Sequence, residues 1–121
     1  MKAVDYPGVK QSPRTKFIVI SGSVRFLEYF KEQYVRIACE GNIPFTVAGN
    51  IKDKPEYPAV KPYLDKMYQE VITRYADELF VLDIDGYIGE STLAEIVCAE
   101  DKGIPVRYYS EEPHTHDYLP R

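Results

Sequence analysis

Phe17-Ile18-Val19-Ile20 is a continuous apolar run, closed at once by Ser21-Gly22-Ser23. A strand with one wet face alternates apolar and polar side chains. An unbroken run, β-branched in its last three residues, suits a strand buried on both faces, as in a parallel sheet. Parallel neighbours need long crossovers between them, so helices must follow.

The rest of the chain supplies them. Leu27, Phe30, Tyr34, Ile37 and Ala38 fall on one stripe of a helix over 27–40, with Glu28, Lys31, Glu32 and Arg36 largely elsewhere. Gly41-Asn42 stops that helix. Ile43-Pro44-Phe45-Thr46-Val47 reads as a second strand, which Pro44 pushes to a sheet edge. A polar, proline-bearing loop is expected over 48–62, long enough to be functional. A helix from about Tyr63 to Tyr75 precedes a third strand, Glu78 to Ile84. A helix from Thr92 to Lys102, ended by Gly103, precedes a fourth strand, Pro105 to Tyr109.

This order, β-α-β-α-β-α-β with right-handed crossovers, predicts an α/β three-layer sandwich. Its parallel four-stranded sheet takes the order 2-1-3-4, the flavodoxin or Rossmann-like arrangement. The switch point then lies between strands one and three, and a ligand belongs where the loop after Ser21 faces the loop after Ile84. Residues 16–110 form the domain; 1–15 read as an N-terminal arm and 111–121 as a polar tail.

With 121 residues the chain is sized for one domain. A net charge of −4 argues against a broad basic face for a nucleic-acid polymer, but leaves room for a small anion. No apolar run approaches the ~20 residues of a membrane span, and the N-terminus lacks a secretory pattern, so a cytoplasmic protein is expected. Cys39 and Cys98 read as free thiols among apolar neighbours.

Two loops carry candidate chemistry. In the first, Gly22 allows close backbone approach, and Ser23 and Arg25 offer a hydroxyl and a guanidinium beside a helix start: a phosphate cradle, or simply a tight turn capped by Ser23. The second holds Asp83, Asp85, Gly86, Gly89, Glu90, Ser91, Thr92 and Glu95. Thr92-Leu93-Ala94-Glu95 matches a capping box, in which Glu95 would reach back to the Thr92 amide. The same carboxylate, one turn into the helix, would also face the mouth of the sheet. His114 and His116 have no third ligand nearby and read as a solvated tail. Lys61 and Asp65, among other alternating charges, read as wet surface; Tyr57, Tyr63 and Tyr68 border a base-stacking site or pack in a core or interface.

These loops resemble a known superfamily. Ile20-Ser21-Gly22-Ser23-Val24-Arg25-Phe26 is similar to the first-strand signature of the nucleoside 2-deoxyribosyltransferase-like proteins. Ala76-Asp77-Glu78-Leu79-Phe80-Val81-Leu82, then Gly86 to Thr92 with Glu95-Ile96, resembles their second signature, and Ala99 and Gly103-Ile104-Pro105-Val106 continue it. The superfamily includes 2'-deoxynucleoside 5'-phosphate N-hydrolases. The resemblance implies a flavodoxin-like fold and a glutamate, here Glu95, that attacks C1' of the sugar. It implies a phosphate held by Ser23 and Arg25, with Gly22, Gly89, Ser91 and Thr92 completing the cradle, and Asp83 or Asp85 orienting sugar or acid. It also implies a homodimer or higher homo-oligomer, and neither cofactor nor metal. Where such proteins often place an aspartate eight residues before Asp77, this chain has Gln69. Asp65, Asp83 or Asp85 is then the substitute, or the protein is a nucleotide-binding module of the same fold without turnover.

Overall fold

The computed structural model describes residues 14–46 and 54–112. Most of the N-terminal arm, Val47, residues 48–53 of the long loop, and the tail with His114 and His116 lie outside them. In chain order the elements are β1 (Phe17–Gly22), α1 (Leu27–Cys39), β2 (Ile43–Phe45), α2 (Tyr57–Tyr75), β3 (Glu78–Leu82), α3 (Glu90–Asp101) and β4 (Val106–Tyr108). Short 3₁₀ turns at Val24–Phe26, Ile84–Gly86 and Tyr109–Glu111 follow β1, β3 and β4.

The sheet runs β2-β1-β3-β4 with every pair parallel, the order expected from the sequence. Phe17 pairs with Ile43, Ile20 with Phe80, and Leu79 with Val106. Pro44 sits on the edge strand, where its missing N–H faces no ladder partner on the outer side among the described residues.

Both faces of the central strands are buried, which accounts for their unbroken apolar sequence. Ile18, Ile20, Phe80 and Leu82 pack with Phe30 and Ile37 of α1. Val19, Leu79 and Val81 alternate with them and pack with Ile72 of α2 and Ile96 and Ala99 of α3. Side chains of period two thus feed two cores, one under α1 and one under α2 and α3.

Helix ends follow their local chemistry. α1 stops where Gly41 takes φ 85° and the amides of Gly41 and Asn42 close onto Ala38 and Ile37. α2 starts at Tyr57, six residues earlier than expected, so 57–62 are helix rather than loop. Pro58 is its second residue, where a missing N–H costs nothing because first-turn amides have no acceptor in the helix. Asp77, part of the motif before β3, ties the bottom of the sheet together by accepting the Phe17 amide at 2.8 Å.

Candidate active site

The carboxyl ends of β1 and β3 lie side by side at the switch point, and a cleft of about 450 Å³ opens above them. Glu95, on the second turn of α3, projects into it and is only 6% exposed. The hydroxyl of Ser21, itself fully buried in β1, donates to Glu95 Oε1 at 2.5 Å. Burial pushes the Glu95 carboxyl up to about 7. The Ser21 hydrogen bond pulls it back, the nearby Asp65 charge adds to the rise, and Lys61 opposes it.

The capping box does not form. α3 begins at Glu90 with Gly89 as its N-cap, and the Leu93 amide closes onto the Gly89 carbonyl at 2.9 Å. Thr92 is therefore already the third residue of the helix, buried on the cleft side, and Glu95 turns to Ser21 rather than back along the chain. Gly89, Ser91 and Thr92 all line the cleft, with the first turn of α3 at its edge.

Ser23 lines the cleft and also caps the turn after β1, accepting the Arg25 amide at 3.3 Å. Arg25 is exposed and stands outside the lining. Its guanidinium lies 4.0 Å over the ring of Tyr87 and donates to the Tyr87 hydroxyl at 3.1 Å, so it meets the cleft only through that tyrosine. Gly22 lines the cleft, yet the sheet also dictates its identity: a Cβ there would come 2.9 Å from Leu82 Cβ. Gly22→Ala is expected to cost about 1–3 kcal/mol through this clash of two central strands, read as a lower urea midpoint with unchanged slope.

Asp83 and Asp85 follow β3 directly. β3 ends at Leu82, and Asp83 turns toward β4, accepting the Ser110 amide at 2.9 Å and its hydroxyl at 2.6 Å. Asp85 is exposed in a left-handed turn, with φ 53°. Neither lines the cleft. Gln69 also points away: it borders a second groove, between α2 and α3, with Leu93, Val97 and Cys98.

The opposite wall comes from α2. Tyr57, Lys61, Leu64, Asp65 and Tyr68 line the cleft, and Phe30 and Leu27 of α1 add apolar surface. Tyr68 is steadied by an edge contact with Phe45 and a 3.0 Å hydrogen bond between its hydroxyl and that of Thr46. Lys61 reaches across to α3, donating to Ser91 Oγ at 2.7 Å, and also holds Asp65 at 2.9 Å. The spacing 57, 61, 64, 65, 68 is a single helical stripe and is the signal that identifies this wall. Tyr63, off that stripe, is 74% exposed.

Among the described residues, no group of three or more His, Cys, Asp or Glu side chains is placed to hold a metal, and no helix is long and apolar enough to cross a membrane. Comparisons of the chain with protein-family models, with curated proteins and with solved structures find no match.

Proposed function

We propose that the protein cleaves the N-glycosidic bond of a 2'-deoxynucleoside or its 5'-monophosphate through a covalent bond to Glu95. One observation carries the reading: a buried glutamate, oriented by Ser21, faces a ligand-sized cleft at the switch point of the sheet. Its carboxylate oxygen attacks C1', the C1'–N bond breaks, and the base leaves with the bonding electron pair and takes up a proton. Water then opens the ester and frees the sugar, or a second base takes it in a transfer. A carboxyl near 7 exists in both forms at neutral pH, so the attacking form is populated there.

The walls suit the two ends of such a substrate. Phe30, Tyr57 and Tyr68 offer aromatic surface to a base. Gly89, Ser91 and Thr92 at the start of α3, with Ser23 opposite, offer hydroxyls and amides to the sugar and its 5'-phosphate. Arg25 waits on the rim. Asp65 and Glu90 are the other carboxyl groups that line the cleft, Asp65 paired with Lys61, while Asp83 and Asp85 stand outside the lining.

The second reading, a nucleotide-binding module without turnover, draws on Gln69, which faces the other groove and supplies no acid. One screen separates the two. Deoxynucleosides and their monophosphates are incubated with the protein, with and without an acceptor base, and separated by chromatography. Release or exchange of base is expected, with the monophosphates preferred. Thermal stabilisation by these compounds with no free base formed would favour the binding module instead.

A further inference from the structure

Lys61 has no part in the bond-breaking step, yet it joins the two walls of the cleft. Its ammonium donates to Ser91 Oγ in the first turn of α3 and to Asp65 Oδ2 one turn along α2. Glu95 lies one turn further into α3 than Ser91, in the same cleft. The two carboxyl groups therefore have partners of different kinds: an ammonium for Asp65 and a hydroxyl for Glu95.

We propose that Lys61 is a positioning residue for Glu95: anchored on Ser91, it keeps a cation in the cleft and commits Asp65 to a salt bridge, so that a second bare carboxylate does not oppose the ionised nucleophile. The inference rests on the reading of Glu95 as nucleophile, but its test needs no turnover.

The groups facing Glu95 decide the direction of the effect. From α2 come Lys61, Asp65 and the phenols of Tyr57 and Tyr68. α3 adds Glu90; the Cys98 thiol borders the second groove, raised first by burial and then by the Asp101 and Glu95 charges. Tyr87 faces in from the preceding segment, with Arg25 outside it, and β1 supplies the Ser21 hydroxyl. Among the charges, Asp65 raises the Glu95 carboxyl and Lys61 lowers it. The hydrogen bond to Asp65 holds the Lys61 ammonium above its ordinary range, so it stays charged while Glu95 titrates. Deleting Lys61 removes a cation and unmasks Asp65, and both changes act on Glu95 in one direction.

The experiment is a ¹³C carboxyl NMR titration of the ligand-free protein, with the Glu95 resonance assigned by its loss in Glu95→Gln. The Glu95 midpoint is expected to move up in Lys61→Met and down in Asp65→Asn, and to stay nearer wild type in Lys61→Arg. Amide spectra check that each variant is folded. A midpoint that stays or falls in Lys61→Met, or two single variants that move it the same way, overturns the proposal. If Lys61→Met does not fold, Asp65→Asn decides, and an unchanged or raised midpoint there overturns it. Base release by the wild type is read separately, so failure of the glycosidase reading and failure of this one give different results.

Discussion

Glu95→Gln is expected to lower base release by on the order of a thousandfold or more while the protein stays folded. Glutamine keeps the shape of the side chain and can still accept the Ser21 hydroxyl, but its amide cannot form the glycosyl ester. The change therefore removes the bond-forming atom and little else. Steady-state assays on a deoxynucleoside monophosphate measure it, and a variant with full activity would show that Glu95 is not the nucleophile. The wild-type rate should also rise with pH through about 7, as the buried carboxyl ionises.

The same substitution is expected to stabilise the protein, in a pH window fixed by the direction of the shift. An unfolded glutamate titrates near 4.5 and the folded Glu95 near 7, so the folded state holds its proton more tightly. That contribution is fully present below about 4.5 and is lost as pH rises to about 7, beyond which it stays lost. At pH 8 the wild type carries a desolvated charge that Glu95→Gln lacks. The difference is on the order of 3 kcal/mol in favour of the variant and vanishes near pH 4.5. Denaturant unfolding at the two pH values measures it; a wild type more stable than the variant at pH 8 would contradict this account of the cleft. A buried charge that costs stability is the usual pattern where function needs the ionised form.

The architecture was legible because few physical rules govern it. An unbroken apolar run means a strand buried on both faces, Pro44 means an edge, and right-handed crossovers leave one strand order. That order locates the switch point, and hence Ser23, Ser91, Thr92 and Glu95, without any side-chain geometry. Features set by tertiary contact were not legible. The capping-box pattern at Thr92 and Glu95 is locally sound, but it gives way because Gly89 takes the cap and a buried hydroxyl at Ser21 captures the carboxylate. Asp83 and Asp85 stand next to the site in sequence but outside the cleft lining, since the chain turns immediately after Leu82. Pro58 and Pro62 mark a loop on composition alone, and this obscured the helical stripe that brings Lys61 and Asp65 to the cleft. Ser21 gave no polar signal of its own, because its partner lies 74 residues away.

The proposed covalent bond between the substrate sugar and Glu95 is tested most directly by mass spectrometry of the quenched protein. A deoxynucleoside monophosphate fluorinated at C2' slows departure of the sugar from the carboxylate, because the fluorine destabilises the oxocarbenium-like transition state. After reaction with it, the proteolytic peptide containing Glu95 should gain the mass of the fluorinated sugar phosphate, and the same peptide from Glu95→Gln should not. Base released in stoichiometric amount while that peptide keeps its unmodified mass would contradict the account.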